Sequence, residues 1–257
     1  MLSAENISFR VGNKYLLEET SLQFEEGLFH VIMGANGAGK STLLKILAGD
    51  QKPSSGKVSL DDKELSHYTK KELAVRRSVL SQHYNITFPI LVNDMVMMGR
   101  YPYFSANPTA KDISICKEAM QLMDVYEFRE RDYNTLSGGE AQKAQMSRVL
   151  SQIWEAKEGE EKILFLDEPV SHLDVKYQHQ LLQAAKDLCK QHTTVVAILH
   201  DINLTLTFAD KILFMKQGKV LYQTQNHNDI SPEMIKDVFD VHSKIIYSGG
   251  DKPVVVF

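Results

Sequence analysis

Hydrophobic positions along the chain change their period twice. Residues 1 to 33 carry alternating or apolar segments, Leu2 to Val11 and Tyr15 to Phe24, interrupted by Gly12-Asn13 and Glu25-Glu26-Gly27, and this predicts antiparallel strands joined by turns. Phe29-His-Val-Ile-Met33 reads as a buried strand. The run Thr42-Leu-Leu-Lys-Ile-Leu-Ala48 then shifts to helical spacing and stops at Gly49, and Pro53-Ser-Ser-Gly56 predicts a turn before a strand at Lys57 to Leu60. From about Pro89 to Trp154 the pattern is helical, as at Val92 to Met98 and Ile113 to Met123, without strand-like alternation. Three apolar runs follow, Lys162 to Leu166, Thr194 to Leu199 and Lys211 to Met215, separated by helical patterns. The first two suit buried parallel strands reached by crossovers, with functional residues at their carboxyl ends. The predicted class is α/β: a core with a parallel sheet, an N-terminal antiparallel β subdomain and an inserted α-helical lobe.

Composition narrows the partners more than the fold. A chain of 257 residues suffices for one large α/β domain or a core with a smaller lobe. Formal net charge is −4, and no basic block exceeds the pairs Lys70-Lys71 and Arg76-Arg77, so nucleic acid is not an expected partner. No apolar run approaches the roughly 20 residues of a membrane span, and the amino terminus lacks the segments of a signal peptide, so the chain is expected to stay in the cytoplasm. Cys116 and Cys189 are isolated and read as small core residues. The tail from Ile230 to Phe257 is a mixed appendage whose simplest role is packing.

Candidate chemistry begins at Gly34-Ala-Asn-Gly-Ala-Gly-Lys-Ser-Thr42, which fits G-x-x-x-x-G-K-[ST] between a strand-like and a helix-like run. Glycines at 34, 37 and 39 allow successive N–H groups to converge on phosphate oxygens at a helix N-terminus. Lys40 adds a positive charge, and Ser41 offers a hydroxyl to the Mg²⁺ that accompanies a nucleoside triphosphate. Leu164-Phe-Leu-Asp-Glu-Pro169 ends a strand-like run in two acids; Asp167 can hold the metal shell and Glu168 can orient an attacking water. His200 ends the next apolar run, where an imidazole can sense a terminal phosphate. Gln82, after Ser78 to Ser81, would by itself only cap or solvate a strand end. Leu136-Ser-Gly-Gly-Glu140 makes a second anion-binding helix terminus without an obvious ligand in the same subunit, and it is also a capping box from Ser137 to Glu140.

In this order the segments resemble the ATP-binding subunit of an ABC transporter: Walker A at 34 to 42, Gln82 as Q-loop, Leu136 to Glu140 as signature, Leu164 to Glu168 as Walker B, Ser171-His-Leu-Asp174 as D-loop and His200 as switch. The resemblance covers nearly the whole chain as a single ATPase domain. It implies a P-loop NTPase core with the β subdomain at about 1–83 and 155–229, a helical subdomain with the signature at about 84–154, and an appendage at 230–257. It implies ATP and Mg²⁺ as cofactors. The triphosphate is then held by Gly34, Ala35, Asn36, Gly37, Ala38, Gly39, Lys40, Ser41 and Thr42, and the metal by Ser41, Gln82 and, through water, Asp167. Glu168, His200 and Gln82 become the catalytic positions. Ser137, Gly138, Gly139 and Glu140 would act in trans on the other subunit's ATP in a head-to-tail homodimer, with Asp174 in the D-loop.

Further implied partners are integral membrane permease subunits and, indirectly, a substrate-binding protein. The implied location is the cytoplasmic face of the bacterial inner membrane, as a peripheral subunit hydrolysing ATP to drive import. Three positions depart from the family pattern. Val11 stands where an aromatic residue usually stacks on adenine, with Tyr15 four residues along; His172 replaces a more usual alanine, and Val170 a threonine. Ser147 to Trp154, the spacer Glu155 to Glu161 and Val196 to Leu204 resemble the haem-import ATPases. Phe88-Pro89 through Met98-Gly-Arg-Tyr-Pro102 is similar also in ferric-siderophore and cobalamin importers. The implied cargo is haem; the alternatives are a siderophore or cobalamin importer and a soluble ABC ATPase without a transport role.

Overall fold

The computed structural model describes residues 1–82, 86–155, 160–171, 173–247 and 252–257. His172, positions 156–159 of the Glu155 to Glu161 spacer and the expected boundary between 83 and 84 fall outside the described residues. In chain order the elements run β1 (Leu2–Val11), β2 (Lys14–Phe24), β3 (Phe29–Gly34), α1 (Lys40–Leu47), β4 (Ser55–Leu60), β5 (Lys63–Glu64), α2 (Lys70–Arg76), β6 (Arg77–Leu80), α3 (Val92–Met97) and α4 (Ala110–Leu122). They continue with α5 (Gly138–Ile153), β7 (Lys162–Asp167), α6 (Val175–Cys189), β8 (Thr193–Ile198), α7 (Ile202–Phe208), β9 (Lys211–Lys216), β10 (Lys219–Thr224), α8 (Pro232–Phe239), β11 (Lys244–Ile246) and β12 (Val254–Val256). Two compact units result, one of residues 1–67 with 194–257, the other of residues 68–193.

In the first unit β1 pairs antiparallel with β2, from Leu2↔Phe24 to Val11↔Lys14, and with β4 on its other edge. The turn expected through Gly56 is shorter than its composition suggests. Strand β4 already begins at Ser55, because Ser55 pairs with Ser8 and the two hydroxyls lie 2.8 Å apart. Strands β8 and β9 flank β3 in parallel, and β10 returns antiparallel to β9. Every residue of β3 and β8 is buried, as strands covered on both faces require. Leu43, Leu44, Ile46 and Leu47 of α1 are each at most 1% exposed. At roughly 1.5–3 kcal/mol per buried side chain, packing outweighs the marginal intrinsic stability of so short a helix. The tail is docked through an asparagine that imitates a neighbouring strand. Asn203 Nδ2 donates to the Val255 carbonyl at 2.9 Å, and its Oδ1 accepts from the Val255 N–H at 2.8 Å.

In the second unit β6 and β7 pair in parallel. Helix α5 is its spine: Ala144, Met146, Val149 and Leu150 are buried, as are Val92, Met95 and Val96 of α3 and Ala119 and Met120 of α4, the two helices that pack on it. Cys116 and Cys189 are buried free thiols, and burial pushes that of Cys116 up to about 11. The helix expected through Met98 ends at Met97 and tightens into a 3₁₀ segment, Met98–Tyr103. Close approach dictates Gly99 within it. A Cβ there would stand 2.2 Å from the Arg148 carbonyl oxygen and 2.3 Å from Ser151 Oγ, so no larger residue fits against α5.

Candidate functional site

Strand β3 delivers the chain into a loop whose backbone is packed too tightly for a side chain at Gly34 and Gly39. A Cβ on Gly34 (φ 154°) would lie 2.2 Å from the Met215 carbonyl oxygen, and one on Gly39 (φ 98°) would lie 2.4 Å from that of Leu16. The loop is also tied from outside. Gly218 N–H donates to the Ala38 carbonyl at 2.9 Å, Glu18 N–H donates to the Gly218 carbonyl at 2.8 Å, and Ala38 N–H closes a turn onto Ala35 at 3.1 Å. Gly39 is the N-cap of α1 and supplies no side chain to it, so no capping side chain competes with an anion at this helix N-terminus. Lys40, 6% exposed, folds its ammonium onto the loop, with Nζ donating to the carbonyls of Gly34 at 2.8 Å and Ala35 at 3.1 Å. Ala35, Asn36 and Gly37 are exposed at the rim; Ser41 and Thr42 are half-buried. A glycine-bearing backbone loop that leads into a helix N-terminus, with the Lys40 ammonium folded onto it, fits the phosphates of a nucleotide.

His200 belongs to the same unit. Register Ile32↔Ile198 places Gly34 and His200 each two residues beyond a paired position on neighbouring parallel strands, so both emerge at the same strand ends. The His200 side chain is exposed, and Asp201 beside it caps α7 by accepting from the N–H groups of Asn203 at 2.8 Å and Leu204 at 2.9 Å. Val11 and Tyr15 lie at the β1–β2 turn, 60% and 51% exposed, open to a flat ligand. Gly39→Ala should weaken ATP binding at least tenfold in a fluorescence titration, because the side chain both strains a left-handed backbone and displaces the bracing strand. Unchanged affinity would mean that the tight packing of the loop is dispensable.

The second unit carries the acidic residues. Register Leu80↔Leu166 brings Gln82 and Glu168 level beyond the ends of β6 and β7, and Gln82 Nε2 donates to Glu168 Oε2 at 2.6 Å. Asp167 closes β7 and is 4% exposed. Glu168 adopts φ 52°, a left-handed conformation costly for a residue with a Cβ, and one that recurs where a side chain must be aimed. Ser137 caps α5 through a full capping box: its Oγ accepts from Glu140 N–H at 3.4 Å, and Glu140 Oε2 accepts from Ser137 N–H at 2.7 Å. That backbone N–H of Ser137, with its hydroxyl second, holds the Glu140 carboxyl below its ordinary range. The capping box engages Glu140 N–H and leaves those of Gly138 and Gly139 without an intrahelical partner. Asp174 caps α6, Oδ1 accepting from Tyr177 N–H at 3.1 Å.

A cavity of about 490 Å³ separates the two caps, lined by Ser137, Gly139, Glu140, Lys143, Asp174 and Tyr177 among others. Lys143 Nζ stands 3.0 Å from the centroid of the Tyr177 ring, linking the two helices. Reading along the chain missed Lys143, Tyr177, Gln142 and the buried Arg100. Their only linear signal is a polar residue at a core-facing helical position, and that signal is shared by many solvated residues.

Residues 17–171 match the family described as ABC transporter. The chain is 41% identical over 257 residues to a hemin import ATP-binding protein, HmuV, of Rhodopseudomonas palustris strain HaA2, covering 99% of this chain and 96% of that one. It is 39% identical over 246 residues to the protein of that name from Gloeobacter violaceus, covering 96% and 90%. Among solved structures, an ABC transporter described as of metal-chelate type, in an inward-facing conformation, aligns with TM-score 0.80 at 25% identity, over 100% of this chain and 97% of that one. A dimeric bacterial ABC transporter cassette aligns with TM-score 0.76 at 26% identity, over 88% and 98%. Another structure of such a cassette, with TM-score 0.75 and 26% identity, holds ADP and phosphate. Cassettes of this kind dimerise, and in importers they work with a membrane permease. The fold is α/β of the P-loop NTPase type, with an antiparallel β subdomain and helices around parallel strands. The chain therefore belongs to the ABC transporter family, as an ATP-binding cassette that binds and hydrolyses ATP.

Proposed function

We propose that this chain is the ATPase subunit of a haem importer, working as a head-to-tail homodimer on permease subunits at the cytoplasmic face of the bacterial inner membrane. The observation that carries the reading is 41% identity, over 99% of the chain, to a protein named for hemin import. Among the described residues no helix is long and apolar enough to cross a membrane, so passage of cargo would fall to other subunits, with a substrate-binding protein acting indirectly. The proposed division is a core with the β subdomain at about 1–83 and 155–229, a helical subdomain at about 84–154 and an appendage at 230–257.

ATP, when bound, supplies the phosphoanhydride whose cleavage drives transport, and Mg²⁺ would be held by Ser41, Gln82 and, through water, Asp167. The loop Gly34 to Thr42 would bind the phosphates, with Lys40 exchanging its carbonyl partners for phosphate oxygens. The Glu168 carboxylate would accept the proton of the attacking water, aimed by its left-handed backbone and by Gln82. His200 would donate to the terminal phosphate from the neighbouring strand, and Ser137 with the Gly138 and Gly139 N–H groups would close on the other subunit's nucleotide. Contact with two subunits at once makes ATP a cross-link, which turns binding into closure.

Reconstituted uptake with haem, cobalamin and a ferric siderophore in competition tests the cargo. Haem uptake that survives excess of the other two is expected. Preference for the siderophore would favour the kinship with the metal-chelate type of transporter and overturn the haem assignment.

A further inference from the structure

Gln142, a residue without a role in the scheme above, joins two parts of the machinery that would serve different nucleotides. It lies two residues past Glu140, near the start of α5, and its Nε2 donates to the Pro169 carbonyl at 2.8 Å. Pro169 is buried and immediately follows Glu168. Its ring locks φ near −65°, which removes one of the two backbone torsions that could absorb a displacement of its carbonyl before it reaches the Glu168–Pro169 peptide. Glu168 itself sits at φ 52°, in a small allowed region where modest backbone shifts are costly.

The same loop is also held by another glutamine on a different helix. Gln178 of α6 donates through Nε2 to the Leu173 carbonyl at 2.9 Å and, at 3.5 Å, to the Val170 carbonyl. Pro169 is thus held to α5, and Val170 and Leu173 to α6, by two amide side chains. Travel of the α5 N-terminus relative to α6 would act on the loop through the Pro169 carbonyl.

We infer that Gln142 is a positioning residue that reports engagement of the signature helix to the catalytic base, and so couples the two ATP sites of the dimer. The inference rests on the proposed composite site, in which the Ser137 cap closes on the other subunit's nucleotide while Glu168 serves its own. Docking of the α5 N-terminus at one site then moves the Pro169 carbonyl, and with it the Glu168 carboxylate, at the other. Because the Gln142 amide is the donor, a residue of similar length that lacks one breaks the link without enlarging or emptying the space.

The test is the ATP dependence of hydrolysis by the complete transporter, with Gln142→Met, Gln142→Lys and Gln178→Met compared with wild type. Two coupled sites give the wild type a Hill coefficient above 1 and at most 2. Gln142→Met should bring it to 1 with half-saturating ATP changed less than threefold. Gln142→Lys, which restores a donor, should return it to the wild-type value, and Gln178→Met, which loosens the same loop from α6 only, should leave it unchanged. A wild-type coefficient of 1, a Gln142→Met coefficient equal to wild type, a lysine variant that fails to recover, or equal loss in Gln178→Met overturns the proposal.

A mixed dimer of Ser137→Arg with Lys40→Ala subunits separates this inference from the one beneath it. Each variant alone is expected to be inactive, and mixing should restore one intact composite site. Recovery in the mixture together with unaltered cooperativity in Gln142→Met removes the coupling role and spares the composite site. No recovery removes both.

Discussion

Glu168→Gln should retain ATP binding and slow steady-state phosphate release by the complete transporter by about 10²–10⁴, the range attributed to a positioned general base. The substitution preserves size and removes only the capacity to take a proton. Gln82 can keep its 2.6 Å contact by donating to the new amide oxygen, so the loop has no reason to move. The nucleotide should then accumulate unhydrolysed, and closed dimers should persist for longer. Hydrolysis within threefold of wild type would exclude Glu168 as the base and shift attention to His200. Reduced ATP affinity would instead mean that Glu168 holds the loop in shape.

Arg100→Met should be the most destabilising change in the second unit. Arg100 is 2% exposed, and each nitrogen of its guanidinium donates: Nε to Asp112 Oδ1 at 2.9 Å, Nη1 to the Ser151 carbonyl at 2.9 Å and Nη2 to Glu155 Oε2 at 2.8 Å, with the group over the Tyr103 ring at 3.8 Å. It clamps the 3₁₀ segment, α4 and α5 together, which gives the segment Met98-Gly-Arg-Tyr-Pro102 a structural reason apart from cargo. Removing one partner of a buried pair costs about 3–5 kcal/mol, because the remaining charge loses its compensation. Lys111→Met, which removes only an exposed ion pair with Glu155, should cost under about 1 kcal/mol.

The pH dependence tests the same account. Burial alone would raise Asp112 and Glu155; hydrogen bonds from Thr109 and Arg100 at Asp112, and from Lys111 and Arg100 at Glu155, outweigh it and hold both below the ordinary carboxylate range. The unfolded chain therefore takes up these protons first. Their stabilisation is present above the ordinary range and is lost as pH falls through the folded values. Without Arg100 the buried Asp112 and the half-buried Glu155 gain from protonation, so the variant's deficit in urea midpoint should shrink from pH 7 to pH 4. A deficit independent of pH would assign the loss to packing around the missing guanidinium and not to charge.

Contiguous residues already determined what each local piece of this protein can do. The stretch Gly34 to Thr42 predicts a phosphate cradle because the N–H groups that would bind are adjacent in the chain, and the packing shows why glycine is required at 34 and 39. Leu136 to Glu140 announces a capped helix N-terminus for the same reason. Hydrophobic runs located β3, β7, β8 and β9 since strands buried on both faces need no partner-specific pattern. Boundaries followed less well: Ser55 joins β4 because Ser8 lies opposite it, which no property of residues 53–56 contains.

Only the tertiary structure decided which distant groups meet. Gln82 and Glu168 are 86 positions apart, and their contact depends on the parallel register of β6 with β7, which neither strand encodes alone. Gln142 becomes a bridge and Arg100 a hub only once α5 has been laid beside the Pro169 loop and α4. Helical periodicity says which face of α5 is turned inward; what that face meets is a property of packing, and there the amide and guanidinium find carbonyls and carboxylates to bind instead of water.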